Sequence, residues 1–458
     1  MGKYQVLNPA TGKVENEFPS ATDTDVVDAL AAVGSAFEVW RTVPLAERTA
    51  FVRTIADIHE QRIDDLASIM TREMGKTTAE ARGELQTVIS IYRYYADKGP
   101  ELLADTPLDA SIGGTTWVRK APVGALLGVM PWNYPFYQVA RFVAPNLVAG
   151  NTILLKHASN CPESALAIAD IVRSAGLPDG AYVNVFADNE QVARILADPR
   201  IVGVSVTGSE RAGAAVASVA GQNLKKVVLE LGGSDPFIVL SAKDLTPVVA
   251  DAVTGRLSNG GQSCNGAKRF IVAEGLYDDF VEQFTASMAA AVTGDPTDAA
   301  TTYGPLVNQA AVDELIKQIE DAVSKGATLR TGGRQVDREG SFLEPTVLTD
   351  VTPDMRAYHE ELFGPVAVVH RVKDAAEAVT VANDSPFGLG AAVFSADEQE
   401  AQRVADQLDV GMVFINRREK GGADVPFGGT KRSGIGRELG AVGIDEFVNR
   451  KLMHKLPV

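Results

Sequence analysis

One cysteine stands in an open, glycine-rich stretch of the sequence, where its thiol could react. The stretch reads NGGQSCNGAKRF, residues 259–270, and Cys264 is one of only two cysteines among 458 residues. A cysteine retained for packing is usually buried among apolar side chains, where the thiol stays protonated and inert. Glycines and small polar residues surround Cys264 instead, with Lys268 and Arg269 close behind. The stretch therefore indicates a reactive thiol, and the alternative is a small buried residue in a loop.

Two other features could bind a phosphate or a ribose. In SVTGSERAGAAVA, Gly208 and Ser209 stand where a strand pattern gives way to a helix pattern, and Gly213 follows inside the helix. Such a turn lets a diphosphate approach the backbone N–H groups at the helix N-terminus. One of the usual three glycines is absent, so a plain strand-to-helix turn remains the alternative. Lys156 ends the strand pattern LLKHAS, where its ammonium could bind ribose or phosphate, or could be a solvated surface lysine.

The composition excludes several kinds of partner. A net charge of −16 argues against nucleic acid, although a small anion could still bind in a local basic pocket. No run of about 18 apolar residues occurs, so we expect no membrane span. Two cysteines cannot form a disulfide framework, which favours the reducing cytoplasm. The five histidines show no spacing typical of a metal site, so no bound metal is expected.

The elements that must position these residues follow an alternating pattern after an N-terminal helical region. Apolar residues recur at helical spacing over residues 22–40, and a second such stretch runs from residue 45 and stops at Gly75. From residue 117 onward, strand and helix patterns alternate, with KKVVLELGGSDPFIVL taken as one strand and a second series starting near residue 235. This alternation predicts an α/β fold with doubly wound parallel sheets. The tail FVNRKLMHKLPV is typical of an edge strand.

Five stretches in order give the chain a family resemblance: MPWNYP, LELGG, GQSC, EELFGPV and PFGGTKRSGIGRELG. The set resembles the aldehyde dehydrogenase superfamily over essentially the whole chain, and LLKHASN and ELGGSDPFIV are most like its short succinate-semialdehyde dehydrogenases. The resemblance implies a Rossmann-type cofactor domain, an α/β catalytic domain and a small β oligomerisation flap. The expected ranges are 1–103 with 125–233, 234–432, and 104–124 with 433–458. A homodimer or a dimer of dimers is expected, because flap and tail would leave unpaired strand edges in a monomer.

The resemblance also assigns the chemistry to three residues. Cys264 matches the nucleophile, whose thiolate adds to an aldehyde to give a thiohemiacetal and, after hydride transfer, a thioester that water cleaves. Glu230 in LELGG matches the general base, and its alternative is a solvated glutamate at a strand end. Asn133 in PWNYP matches the oxyanion donor, together with the backbone N–H of Cys264, and its alternative is a turn residue.

For the cofactor, the resemblance implies that Glu361 holds the nicotinamide ribose, that Phe363 packs near the ring and that Lys156 binds the adenosine ribose. NAD-specific relatives carry a glutamate where this chain has Ser159, and the missing carboxylate removes repulsion against a 2′-phosphate, which favours NADP while leaving NAD possible. His157 could add a donor or merely pack. The expected cofactor-binding residues are Trp132, Lys156, Ser159, Gly208, Ser209, Glu361 and Phe363.

Substrate selection depends on a cation for a distal carboxylate. Arg141, on a helix expected to start at Pro135, matches the family's tunnel arginine, and the alternative is a structural salt bridge. A second tunnel arginine of some relatives falls at Ser258 here, and Arg256 is out of register by two residues. The loop after Asn416 offers three more cations that could contact the substrate or could be solvated: Arg417, Arg418 and Lys420.

The sequence thus predicts NAD(P)-dependent oxidation of succinate semialdehyde, with NADP favoured. One alternative is a dehydrogenase of other short aliphatic or aromatic aldehydes, and a cofactor-free cysteine hydrolase is another. A non-catalytic role is disfavoured because nucleophile, base and oxyanion donor are all present. Some relatives carry a second cysteine two positions after the nucleophile, where this chain has Gly266, so no disulfide switch is expected. Cys161 is expected to be structural.

Overall fold

The protein, described here from a computed structural model over residues 4–457, is a mixed α/β molecule with two large sheets. The helices are α1 (Asp23–Trp40), α2 (Leu45–Gln61), α3 (Ile63–Met74), α4 (Thr78–Leu102), α5 (Tyr137–Ala149), α6 (Pro162–Ser174), α7 (Asn189–Ala197), α8 (Glu210–Gln222), α9 (Thr246–Leu257), α10 (Glu274–Ala289), α11 (Gln309–Ser324), α12 (Arg356–His359), α13 (Ala375–Asn383), α14 (Glu398–Ala405) and α15 (Gly440–Ile444).

The strands are β1 (Tyr4–Asn8), β2 (Lys13–Phe18), β3 (Thr106–Leu108), β4 (Thr115–Pro122), β5 (Ala125–Val129), β6 (Thr152–Lys156), β7 (Tyr182–Asn184), β8 (Ile201–Thr207), β9 (Lys226–Glu230), β10 (Asp235–Val239), β11 (Ala267–Ala273), β12 (Thr328–Thr331), β13 (Thr346–Thr349), β14 (Val366–Val372), β15 (Phe387–Gly388), β16 (Gly390–Phe394), β17 (Met412–Ile415), β18 (Thr430–Lys431), β19 (Gly434–Ile435) and β20 (Val448–Lys455).

The N-terminal region is helical, as the apolar spacing predicts. The Thr22 side chain accepts the Asp25 N–H and the Asp25 carboxylate accepts from the Thr22 backbone, a capping box that starts α1. The stretch that ends at Gly75 is two helices rather than one, because Arg62 leaves helical geometry between α2 and α3. The Arg62 guanidinium donates to Asp170 on α6. Gly75 ends α3 in the left-handed conformation, where glycine is favoured.

The first large sheet collects the features assigned to cofactor binding. Its order is β19-β9-β8-β5-β6-β7, and every neighbouring pair is parallel except β19 with β9. Parallel strands end at the same edge of a sheet, and ligands bind outside that edge in open α/β sheets. Lys156 ends β6 and Glu230 ends β9, while Asn133 and Gly208 follow the ends of β5 and β8. The predicted site residues of this half therefore share one edge.

The second large sheet has the order β12-β13-β14-β11-β10-β16-β17, and only the β12–β13 pair is antiparallel. Its central strands are buried, with separate apolar clusters under α9–α10 and under α13–α14. Cys264 precedes β11 and Glu361 precedes β14, so both stand at the amino ends of their strands.

The prediction of one strand over KKVVLELGGSDPFIVL was wrong. The chain leaves the first sheet after Glu230 and enters the second at Asp235. A Cβ on Gly232 would lie 2.5 Å from the Glu361 Oε2, and one on Gly233 would lie 2.4 Å from the Cys264 carbonyl oxygen. The two glycines therefore form a crossing between sheets that a side chain would block, and this crossing adjoins the site.

A small third sheet of order β20-β4-β3 carries the predicted flap and tail strands. The tail strand β20 pairs along its whole length with β4 and forms one edge of this sheet. The segment predicted as 433–458 is more varied than expected, since it opens with β19, which pairs with β9 in the first large sheet. No helix within residues 4–457 has both the length and the apolar character needed to cross a bilayer.

Candidate active site

The loop that carries Cys264 is shaped by three successive residues with positive φ. Asn259, Gly260 and Gly261 have φ values of 54°, 61° and 74°. A Cβ on Gly261 would stand 2.2 Å from the Gly364 carbonyl oxygen, so the loop packs directly on the segment that follows Glu361. Asn259 tolerates its conformation because Glu80 accepts its backbone N–H at 2.7 Å and its side chain donates to the Asn133 carbonyl at 2.8 Å. The glycine-rich composition of this loop therefore allows a tight turn that packing and hydrogen bonds hold in place.

The thiol of Cys264 is held protonated by its surroundings. Burial raises the pKa of Cys264 to about 12, and the charges of Arg141 and Lys268 oppose that rise. Lys268 is buried, and its Nζ donates to the carbonyl oxygens of Ser263 at 2.9 Å and Cys264 at 2.8 Å. A buried ammonium thus fixes the backbone on both sides of the nucleophile. A thiol with a raised pKa needs a base to become a nucleophile.

Asn133 lies against the Cys264 loop, as expected of an oxyanion donor. Its Nδ2 donates to the Gln262 carbonyl oxygen at 3.0 Å, and the side chain is buried. An amide nitrogen carries two hydrogens, so a second donor remains for a substrate oxygen. Helix α5 begins four residues after Asn133, at Tyr137 rather than at Pro135, and the Glu84 carboxylate accepts the N–H groups of Phe136 and Tyr137 at its start.

Glu230 is buried without a hydrogen-bond partner. Neither carboxyl oxygen makes a hydrogen bond within residues 4–457. Burial raises the pKa of Glu230 well above its usual range, the Arg141 charge opposes this, and Glu438 reinforces it. The carboxyl group stands beside Gly428, where a Cβ would lie 2.6 Å from Oε1. It faces the Arg141–Glu438 region and is not among the residues that line the cavity at Cys264. The structure thus places Asn133 against the loop of Cys264 and Glu230 in the Arg141–Glu438 region, outside the cavity lining.

Arg141 has features of both roles that the sequence allows, a cation for the substrate carboxylate and a structural salt bridge. Its Nε lies 2.7 Å from the Glu438 Oε2, so it has an ionic partner, and Ser205 donates to the other oxygen of Glu438. Its guanidinium carbon lies 4.2 Å from the centre of the Phe427 ring. Its Nη1 and Nη2 make no hydrogen bond of normal geometry within the described chain, although both are buried. Arg141 also lines the cavity that contains Cys264. A buried donor pair facing a cavity favours an anionic ligand.

Glu361 reaches the site, whereas its neighbour Glu360 does not. The Glu361 Oε1 accepts the Gly233 N–H at 3.0 Å and lies 3.3 Å from the Lys268 Nζ. Glu360 instead pairs with Arg356 at the surface. Phe363 and Trp132 meet edge to face with ring centres 5.8 Å apart. Glu361, Phe363 and Trp132 therefore lie within one connected group around the Cys264 loop.

The far end of the expected cofactor site lies along the edge of the first sheet. Lys156 is largely enclosed, which lowers its pKa, while Ser159 is exposed and free to face a ligand. Ser209 caps α8 by accepting the Ala212 N–H at 3.3 Å. A Cβ on Gly208 would meet no described atom within 4 Å, so the strand-to-helix turn is open there. The open turn, the helix N-terminus and the lysine fit a dinucleotide phosphate group.

His157 does not supply the additional donor that the sequence allowed. It is buried, its Nε2 bonds the Pro135 carbonyl at 2.9 Å, and its Nδ1 accepts the Ala158 N–H at 2.8 Å. Both ring nitrogens are used, and burial lowers the pKa of His157 to about 4. His157 therefore has a structural role. Cys161, as expected, is buried at the start of α6.

A cavity of about 480 Å³ opens at Cys264 and contains residues that the sequence interpretation missed. Arg418 and Lys420 line it, as does Ser258, whereas Arg417 does not. The missed lining residues are Lys76, Glu80, Glu84, Tyr134, Tyr137, Asp235 and Glu419. A signal for Glu419 was present, because it stands inside the loop NRREKGGADVP from which only the basic residues were considered. The acids on α4 gave no such signal, since they come within a helix far from any motif.

Comparison with known proteins agrees with this geometry. Residues 1–453 match the model of the aldehyde dehydrogenase family. The succinate-semialdehyde dehydrogenase (NADP+) of Deinococcus radiodurans is 51% identical over 454 residues, covering 99% of this chain and 95% of that protein. Its counterpart in Mycobacterium tuberculosis is 48% identical, covering 97% and 98%. The crystal structure of the succinic semialdehyde dehydrogenase from Streptococcus pyogenes, in complex with NADP+, superposes with a TM-score of 0.97 at 42% identity, covering 99% of each chain. The chain belongs to the aldehyde dehydrogenase family.

Proposed function

We propose that the protein oxidises succinate semialdehyde to succinate with NADP. The observation that carries the proposal is the position of Arg141, whose buried Nη1 and Nη2 make no hydrogen bond of normal geometry within residues 4–457 and which lines the same cavity as Cys264. An aldehyde at Cys264 with a carboxylate at its other end would place opposite charges together there. The names of the relatives in Deinococcus and Mycobacterium support the same substrate and cofactor.

The residues of the chain divide the reaction between them. Cys264 loses its proton to a base, and its sulfur adds to the aldehyde carbon, while the oxygen that becomes negative accepts from Asn133 and from the Cys264 N–H. NADP, when held by the cofactor-binding residues, would supply the acceptor for the hydride that leaves this carbon. Glu230 has the role of base in the second step: it takes a proton from water as the water oxygen adds to the thioester carbon, the carbon–sulfur bond breaks, and the acid leaves as the thiol regains a proton. This role requires the carboxyl group to turn from the Arg141–Glu438 region toward the cavity and to be ionised, and the raised pKa of Glu230 then makes its carboxylate a stronger proton acceptor.

Support for NADP comes from the end of the first sheet. Ser159 leaves no carboxylate beside Lys156, and both face the region where the adenosine ribose is expected. A 2′-phosphate there meets a cation and a hydroxyl rather than an anion. NAD lacks that phosphate and so lacks its attraction to Lys156, and we propose NADP as the preferred cofactor.

The test of the substrate is a pair of aldehydes that differ in charge. Initial rates of reduced-cofactor formation at 340 nm are measured with succinate semialdehyde and with butanal, each with NADP and NAD, for the native protein and Arg141→Gln. We expect Arg141→Gln to lower kcat/KM for the semialdehyde by about 100-fold, the value of a lost buried charge-assisted bond, and to change butanal oxidation far less.

Arg141→Lys serves as the matched variant, because it keeps the charge beside Glu438 and should recover part of the lost preference. Equal losses with both aldehydes would mean that Arg141 is only the ionic partner of Glu438. In that case the alternative of a dehydrogenase for other short aldehydes would hold. An ester hydrolase without a cofactor would give no absorbance change at 340 nm.

We further propose that the chain works as a homodimer or a dimer of dimers, in the cytoplasm. Within residues 4–457 the outer edge of β20 is unpaired, which suits pairing with a second copy. Both cysteines are free thiols, which suits a reducing compartment.

A further inference from the structure

An acidic side chain stands inside the cavity that we assign to an anionic substrate. Glu419 lines the cavity together with Cys264 and Arg141. Its carboxyl group is hydrogen-bonded by the Asn265 side chain, whose own oxygen accepts from Ser263 at 2.5 Å. Asn265 adjoins the nucleophile in the sequence, and Glu419 lines the same cavity as Cys264. An ionised carboxylate in this place would repel a substrate carboxylate.

The groups around Glu419 come from every element that faces it. Asp235 at the start of β10 disfavours its ionised form, while Arg141 on α5 and Lys268 on β11 favour that form. Glu419 in turn affects two further groups, the Cys264 thiol and the Tyr137 hydroxyl. On its own loop, Arg418 and Lys420 also line the cavity.

Arg418 is directed partly away from the cavity, because its Nε lies 3.7 Å from Asp251. The cations near Glu419 are thus already engaged: Arg141 by Glu438, and Lys268 by backbone carbonyls and Glu361. None of them forms an ion pair with Glu419 within the described residues. Burial, with Asp235 reinforcing it, raises the pKa of Glu419 to about 8. Near neutral pH the carboxyl group therefore carries a proton that it can donate.

We propose that Glu419 determines how strongly the enzyme prefers an aldehyde with a distal carboxylate. In its protonated form it donates a hydrogen bond to that carboxylate beside Arg141, and in its ionised form it repels it. The preference for the charged aldehyde therefore falls as the pH rises, whereas the oxidation of an uncharged aldehyde does not depend on Glu419 in this way. The inference rests on the proposed function, since it assumes that the substrate carboxylate enters this cavity.

The experiment measures the ratio of kcat/KM for succinate semialdehyde to kcat/KM for butanal between pH 6.5 and 9.5. Both aldehydes use the same thiol and the same base, so the ionisations of Cys264 and Glu230 cancel in the ratio. If binding of the carboxylate requires the protonated form, the ratio falls about tenfold between pH 7 and pH 9. Glu419→Gln keeps an amide that can bond Asn265 but cannot ionise, and its ratio should stay constant over this range.

Glu398→Gln is the matched control, because Glu398 is an exposed glutamate at the start of α14, outside the cavity. It should retain the pH dependence of the native protein. A native ratio that is high but independent of pH, or a Glu419→Gln ratio that falls as the native one does, overturns the inference about Glu419 and leaves the proposed substrate standing. A native ratio near one at every pH overturns the proposed substrate as well.

Discussion

At the scale of single residues, burial disfavours the charged forms of the reactive groups in the site. Burial raises the pKa values of both the Cys264 thiol and the Glu230 carboxyl group. Arg141 counteracts burial in both cases, since its charge stabilises the thiolate and the carboxylate alike. One arginine therefore couples the nucleophile, the base and the expected position of the substrate carboxylate. Arrival of an anion near Arg141 should weaken its support for the thiolate, so a substrate carboxylate and a thiolate compete for the same cation.

Two adjacent glutamates give a direct test of the assignment near the nicotinamide. Glu361 accepts the Gly233 N–H and pairs with Lys268 beside the Cys264 loop, whereas Glu360 pairs with Arg356 at the surface. We expect Glu361→Gln to lower kcat at least tenfold in steady-state assays, because a misplaced ribose displaces the hydride acceptor. Glu360→Gln removes only a solvent-screened ion pair and should stay within about twofold of the native rate. Equal effects of the two substitutions would remove the role given to Glu361.

The sequence predicts residue roles better than it predicts residue partners. Asn133 and the loop of Cys264 are in contact through the Gln262 carbonyl oxygen, and each belongs to a motif that the sequence alone singles out. The pairing of Arg141 with Glu438 could not be predicted, since the two residues come from distant parts of the chain and no spacing connects them. The same holds for Lys268, whose basic side chain was noticed but whose bonds to the Ser263 and Cys264 carbonyls depend on the folded loop.

At the scale of elements, the crossing at residues 231–234 connects the two sheets and the site. The Gly233 N–H donates to Glu361, and its Cα faces the Cys264 carbonyl oxygen. Gly233→Ala would place a Cβ 2.4 Å from that oxygen, so the Cys264 loop must shift. We expect a loss of about 1–3 kcal/mol in the free energy of unfolding, measured by chemical denaturation, and a kcat lowered by at least tenfold.

Gly275→Ala is the control for this substitution. Gly275 lies in the first turn of α10, and no described atom comes within 4 Å of a Cβ placed there. Alanine in a helix should leave the protein equally stable or more stable by up to about 1 kcal/mol, with an unchanged kcat. If Gly233→Ala behaved like Gly275→Ala, the close approach of the crossing to the Cys264 loop would have no consequence for the reaction.

The order of strands and helices was largely predictable, and the breaks between them were not. Alternating apolar and helical patterns predict the parallel strands of the first sheet because each strand is buried and each helix has one apolar face. The break at Gly232 and Gly233 was missed because the apolar residues on each side of it, VVL and PFIVL, are both typical of a buried strand. The break at Arg62 was missed because the apolar spacing of α2 and α3 continues across it. The spacing of apolar residues indicates which face of a helix or strand is buried, but it does not indicate where the chain turns.

At the scale of the whole molecule, the small sheet contrasts with the rest of the chain. The protein carries a net charge of −16, yet β20 itself contributes the cations Arg450, Lys451 and Lys455 and no acid. Exposed apolar side chains are found on or next to this sheet: Leu108, Ile112, Leu452 and Leu456. A basic strand with exposed leucines and an open edge fits an acidic surface of a second copy better than it fits water.

Leu452 provides the corresponding test, because it is 61% exposed at the middle of β20. In an isolated chain, Leu452→Asp changes an exposed side chain and should alter stability by about 0.5 kcal/mol or less. In an oligomer built through β20, the same change buries a carboxylate without a partner and should shift the species seen by light scattering after size exclusion to a smaller mass. Leu224→Asp, at a leucine 95% exposed in the turn after α8, should leave the mass unchanged. Two results would show that β20 makes no interface. One is a native protein that elutes as a monomer at micromolar concentration, and the other is a Leu452→Asp protein that keeps the native mass.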